Sequence, residues 1–259
     1  MIYMPSCLYS KEFPDLRHKL TGAIAQGLAR RNGPSIIFFR ADDIGVLSQP
    51  FQQMMLLFHK YAMPLNLAVV PAWLTASRWQ KLQCFTSTTG LFCWHQHGWR
   101  HANHETAGRK QEFGDSREIR HLEEDLLRGR QRLASLMGNH FLPLFTPPWN
   151  RCGAAALSLL EEHGYLGISR NHGALPPAPS GLVEIPINID LHTRREENAD
   201  SSLDVLLLEL QDAVASGAVG IMLHHQRMND NAFILLEQLL VVSRQQELVP
   251  RSFGDILSR

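Results

Sequence analysis

The chain has 259 residues, with 25 Lys plus Arg balanced by 25 Asp plus Glu, for a formal charge of zero, and 44% of it is hydrophobic. That balance excludes a disordered chain, which needs low hydrophobicity and high net charge. It also argues against a nucleic-acid partner bound through bulk charge, since there is no basic excess to neutralise phosphates. No run of 18 apolar residues occurs, so no membrane span is expected, and the length suits one α/β domain or two smaller ones equally, of which a single domain over 1–259 is the expectation.

Residues 1–33 are expected to form a leading helical segment packed on the outside of the domain. Met1–Asp15 has no basic start followed by an apolar run of signal-peptide type, which reads as cytoplasmic. Cys7, Cys84, Cys93 and Cys152 form no CxxC pair and are expected as reduced thiols. Ser35–Arg40 is a β-rich run, and Ser48–Tyr61 follows as a helix with Phe51, Met54, Met55 and Phe58 on one face. Leu65–Val70 is a second strand, Thr75–Cys84 a helix and Leu91–His95 a third strand. Ser116–Met137 is the clearest helix: Ile119, Leu122, Leu126, Leu127, Leu133 and Leu136 make the stripe, and Gly138 ends it. His140–Phe145 is a strand stopped by Pro147–Pro148, and Gly153–His163 a helix. Leu166–Ser169 and Leu182–Ile187 are short strands, and Ser201–Ala215 is a helix. Val219–His224 is a strand, Asn231–Arg244 a helix and Leu248–Arg251 a last strand.

This alternation implies a parallel sheet with helices outside it. A closed or nearly closed barrel fits best, because polar groups recur at the C-terminal ends of the strands, where barrel active sites are built. No internal repeat or linker is visible. Ala102–Asp115 and Thr193–Asp200 are the segments expected to be mobile.

Four groups sit at strand ends. Asp42 and Asp43 follow the first strand as adjacent carboxylates, which a bound cation can separate into a ligand and a free base; the plain alternative is that one of them caps the next helix. His97 and His101, four apart, lie on one face if the segment turns helically, so both imidazoles could reach one ion, with His95 and His104 as competing ligands. Thr146-Pro147-Pro148-Trp149-Asn150 leaves the next strand rigidly extended, with Trp149 as a stacking face for a sugar and Asn150 as a donor. Leu223-His224-His225 closes a fourth strand, and either His could act as a general acid. Two His and one carboxylate on a metal with open positions form a hydrolytic arrangement.

Together these residues resemble the polysaccharide deacetylase family (carbohydrate esterase family 4), over roughly residues 35–226. The resemblance implies a distorted (β/α)7 barrel and metal-dependent removal of acetyl groups from N-acetylated sugars, usually with zinc. Its first motif falls on Arg40-Ala41-Asp42-Asp43, which makes Asp42 the general base and Asp43 a metal ligand. Its second falls on His97-Gly98-Trp99-Arg100-His101 and makes both His ligands, with Gly98 in place of the usual Ser or Thr. The third falls on Thr146-Pro147-Pro148-Trp149, where Thr146 stands for an Arg that positions the base. The fifth falls on Leu223-His224 and selects His224 as the acid. No clear fourth motif is present; Asp190 is the candidate for the carboxylate that tunes that His. The start Ala41–Gly45 also resembles the diacetylchitobiose deacetylase-like proteins.

The implied reaction is hydrolysis of an amide C–N bond. The divalent metal sits on Asp43, His97 and His101, Asp42 takes a proton from water, Trp149, Pro148 and Asn150 line the substrate and oxyanion side, and His224 protonates the leaving amine. The expected partner is an N-acetylated carbohydrate or a related amide. The competing readings are a small-amide amidohydrolase on the same barrel and a silent carbohydrate-binding or assembly protein.

Overall fold

The computed structural model describes residues 5–85, 90–246 and 248–258. Its strands form one sheet in the order β6 (Val183–Glu184), β5 (Gly167–Ile168), β4 (Phe141–Thr146), β3 (Phe92–His97), β2 (Leu65–Val69), β1 (Ser35–Ile44), β8 (Ala218–Leu223) and β7 (Ile189–Asp190), with β9 (Leu248–Pro250) also paired to β1. The pairs β1–β8, β1–β9, β3–β4, β4–β5, β5–β6 and β7–β8 are parallel. The chain divides into two compact units.

The first unit holds residues up to 41, 48–65 and 188–252. Its centre is β1 (Ser35–Ile44), buried on both faces as a strand in a parallel sheet must be. It is flanked by β8 (Ala218–Leu223), with Ile36 beside Ala218 and Ala41 beside Leu223, and by β9 (Leu248–Pro250). On the far edge of β8 lies β7 (Ile189–Asp190), a two-residue strand that hydrophobic patterning does not reveal. Helices α1 (Leu16–Ala29), α2 (Gln49–Lys60), α6 (Ala199–Ser216) and α7 (Asp230–Gln245) belong to this unit. The leading segment does contain a helix, α1, which packs on α6 and α7. A Cβ on Gly27 would come within 2.6 Å of the Gln211 carbonyl and of Val214, so α1 approaches α6 as closely as only glycine allows. Each later helix starts on a polar cap: Ser48 accepts from the Phe51 amide, Asn198 from Ser201 and Asn229 from Ala232. Ser48 therefore takes the capping role that the adjacent carboxylates could have had.

The second unit holds 42–47, 66–187 and 253–258 among the described residues. The end of β1 continues here beside β2 (Leu65–Val69), where the Val70 amide donates to the Ile44 carbonyl. Strands β3 (Phe92–His97), β4 (Phe141–Thr146), β5 (Gly167–Ile168) and β6 (Val183–Glu184) follow, with helices α3 (Ala76–Leu82), α4 (Ile119–Met137), α5 (Ala154–Glu162) and α8 (Phe253–Leu257). The core packs Leu122, Leu126, Phe145, Leu157, Leu160 and Ile168 together. Two expectations change. The buried stripe of α4 is Leu122, Leu126, Gly129, Leu133 and Met137, while Ile119 is exposed. Strands β1 and β3 run past their apolar runs, to Ile44 and His97, where the polar residues Asp42, Gln96 and His97 are themselves buried.

Candidate metal centre

Asp43 stands near the end of β1, His97 is the last residue of β3, and His101 lies in the turn that follows. Asp43 Oδ1 is 3.3 Å from His97 Nε2 and 3.2 Å from His101 Nε2. These three are the group among the described residues whose ligand atoms all lie close enough together to hold one metal ion. The two imidazoles do not converge by helical turning, as their spacing suggested. The chain leaves β3 through left-handed conformations at Gly98 (φ 57°) and His101 (φ 59°), and those reverse it onto the His97 ring.

The arrangement fits a cation. His97 Nδ1 is 2.9 Å from the Thr146 carbonyl, which can only accept, so Nδ1 carries the hydrogen. The neutral ring then points the Nε2 lone pair at a carboxylate oxygen, a repulsive contact unless a proton or a metal ion lies between them. Burial disfavours the His97 imidazolium, but Asp43, Asp42 and the Thr146 carbonyl outweigh it and raise its pKa. His101 is pushed down to about 4, first by burial and then by His97, against the opposing pull of Asp43. Both Nε2 atoms thus face the one Asp43 oxygen, which is the place a divalent ion would take.

Asp42 is buried and acts on His97 through its charge. Trp149 rests its ring 4.5 Å from that of His101, and Trp73 lies 6.0 Å away from the same ring. Pro148 and Asn150 are buried beside Trp149. Backbone strain concentrates at this site. Five described non-glycine residues have positive φ, and four of them are Asp43, His101, Trp149 and Asn150; the fifth is Ala62. Left-handed positions of this kind cost on the order of 1–3 kcal/mol each and persist where function holds them.

Several nearby residues have no counterpart in sequence reasoning. Glu112 is fully buried and accepts from the amides of Trp99, Arg100 and Ala102 at 3.1, 2.7 and 3.4 Å. Gln96 donates to the Gly98 carbonyl and accepts from the Tyr165 hydroxyl. A Cβ on Gly98 would collide with Glu112 Oε2 and come within 2.7 Å of Pro148, which explains glycine at that position. Thr146, in place of an arginine, binds His95 Nε2 at 2.9 Å. His95 is a core residue against Phe253, and His104 is exposed, so neither competes as a ligand.

His224 belongs to the first unit, at the exit of β8. Its ring meets His192 edge-on at 5.5 Å, while His225 is buried against Phe51. Asp190 accepts from the amides of His192 and Thr193, so its carboxylate shapes the turn that carries His192. The one sequence signal for His192 is that Leu191-His192 repeats the dipeptide Leu223-His224.

No family model matches the sequence, and no curated protein does. Solved structures do match. A Mycobacterium smegmatis protein described as a polysaccharide deacetylase superposes with a TM-score of 0.60 at 15% identity, covering 81% of this chain and 76% of its own. A family 4 acetyl xylan esterase from Clostridium thermocellum, in complex with a cobalt ion, gives 0.54 at 11%, covering 86% and 90%. A family 4 pseudoenzyme from Bacillus anthracis gives 0.57 at 10%, covering 88% and 66%. This chain has the family 4 carbohydrate esterase fold. At these identities the likeness is one of fold, that of the (β/α)7 deacetylase barrels. No described helix is long and apolar enough to cross a membrane.

Proposed function

We propose that this protein is a metal-dependent hydrolase of amide C–N bonds that removes the acetyl group from an N-acetylated carbohydrate. The observation that carries this reading is the convergence of Asp43, His97 and His101 at the ends of parallel strands, with left-handed backbone at Asp43 and His101. A divalent ion held there, zinc by default, supplies Lewis-acid polarisation of the acyl carbonyl and makes water a stronger acid. The Thr146 carbonyl keeps His97 in the tautomer that leaves Nε2 free for the ion. Asp42, adjacent to a ligand and not itself one of the cluster, takes the proton from the attacking water. Trp149 offers its face to a sugar ring, with its amide, Pro148 and Asn150 on the oxyanion side. His224 returns a proton to the leaving nitrogen, so that amide and water become carboxylate and amine.

The test measures bound zinc and acetate release from N-acetylglucosamine oligomers for the wild type, His97→Ala and His101→Ala. The expected result is metal in the wild type, little in either variant, and turnover in the wild type alone. Full metal occupancy in both variants sinks the ligand assignment. A second reading, a silent sugar-binding protein, is favoured by Thr146 in the place of the motif arginine and by a pseudoenzyme among the fold neighbours. Metal without turnover on oligomers or on small amides would select it, and turnover confined to small amides would select an amidohydrolase.

A further inference from the structure

We propose that Glu112 is a positioning residue for the metal: its buried carboxylate holds the His101 turn in its ligand-bearing shape before any ion arrives. The inference rests on the reading of Asp43, His97 and His101 as ligands.

The turn from Gly98 to Ala102 has little of its own to hold it. It belongs to no helix or strand, and it carries left-handed residues at both Gly98 and His101. Much of its backbone hydrogen bonding comes from outside. Glu112 accepts the amides of Trp99, Arg100 and Ala102, on both sides of His101. Gln96 donates to the Gly98 carbonyl, the Thr146 carbonyl accepts from the Gly98 amide, and the Ala72 amide donates to the Trp99 carbonyl. A fully buried carboxylate is costly unless hydrogen-bonded, and here three amides offset that cost. Burial raises the Glu112 pKa, and the amides of Arg100, Trp99 and Ala102 and the charge of His97 oppose the rise. A neutral side chain of the same shape would not do the same work, because an amide has one acceptor atom and its NH2 would face N–H groups. Glycine at 98 is the other half of the device, since any Cβ there would strike Glu112 Oε2.

Residues that orient ligands typically change metal affinity by about 10–100-fold when removed. The experiment titrates cobalt(II) into metal-free full-length protein and follows its visible absorption, comparing wild type, Glu112→Gln, Gly98→Ala and the control Glu105→Gln. Expected are a 10–100-fold higher Kd and a changed cobalt spectrum in the first two variants, with wild-type behaviour in the control. Urea unfolding in chelator runs alongside; a merely structural role would lower stability and leave the Kd and spectrum of the folded protein unchanged. If Glu112→Gln does not fold, Gly98→Ala decides by pressing on the same carboxylate from the other side. Wild-type protein that binds no cobalt overturns the metal reading itself. Wild-type protein that binds it, with Glu112→Gln and Gly98→Ala binding equally well and with the same spectrum, overturns only the role of Glu112.

Discussion

Two adjacent carboxylates at one strand end have different surroundings, and the proposed division of their work rests on that difference. Asp43 reaches both imidazoles through one oxygen, whereas Asp42 is buried and acts on His97 through charge. Asp42→Asn keeps the shape and removes proton acceptance, so metal content should hold while turnover falls by about 10²–10⁴-fold. Near wild-type turnover in that variant, at equal metal content, would remove Asp42 from the reaction. The consecutive histidines divide in the same way. His224 is extended at the exit of β8 and turns to His192, whereas His225 opens a 3-10 turn and packs on Phe51. His224→Ala should therefore lower kcat and spare both folding and metal. His225→Ala should lower stability by about 2 kcal/mol or more through its lost packing. Assaying both on one acetylated substrate, with parallel melting curves, ranks them, and the reverse ranking would mean that His225 is the acid.

At the scale of the element, glycine has opposite meanings at two places in α1. Gly22 has open space where a Cβ would stand, and Gly27 has the Gln211 carbonyl and Val214. Alanine ordinarily stabilises a helix interior by about 1 kcal/mol relative to glycine. Gly22→Ala should thus raise Tm by roughly 2–4 °C, the shift expected of ~1 kcal/mol in a chain of this size. Gly27→Ala should instead destabilise by about 1–3 kcal/mol, because backbone must move to admit the methyl. Melting curves for the two variants are the check, and a rise for both would mean that α1 can lift off α6 freely. The same logic makes Gly129 part of the α4 face, where a Cβ would meet the Gln96 amide.

At the scale of the whole molecule, one buried histidine couples stability to pH. His192 is enclosed, and its pKa is pushed well below 6.5 by burial and then by His224, Arg227 and His225. Its folded pKa lies below its unfolded one. The unfolded chain then takes up a proton below about pH 6.5 that the native chain refuses, and stability falls as the pH falls. One proton contributes at most about 1.4 kcal/mol per pH unit. His192→Gln should flatten the loss between pH 6.5 and 5 by up to that amount, as read from urea unfolding at stepped pH. Equal slopes in the two proteins would show that His192 titrates as freely when folded as when unfolded.

The amino-acid sequence by itself determined the alternation of strands and helices, because the helices bury one face and write it as a period of 3.6, while strands buried on both faces stand out as short continuous apolar runs. It determined equally which residue types end the strands: Asp42 and Asp43, His97 and His101, Pro148 to Asn150, and His224. Strand pairing across the chain decided the rest. Where β3 ends, and hence that His95 is core while His97 faces Asp43, depends on the neighbouring β4 and on the Thr146 carbonyl. The left-handed turns that bring His101 back onto His97 leave no periodic trace, since a single residue with positive φ has no repeating neighbour. Glu112 lies in a polar loop without a pattern, and Gln96 in a strand read as shorter, and their partners become partners only when segments distant in sequence meet. Hydrophobic pattern is a property of consecutive residues, and it reports the elements. A metal centre is a property of atoms a few ångströms apart on separate elements, and only the folded chain brings them there.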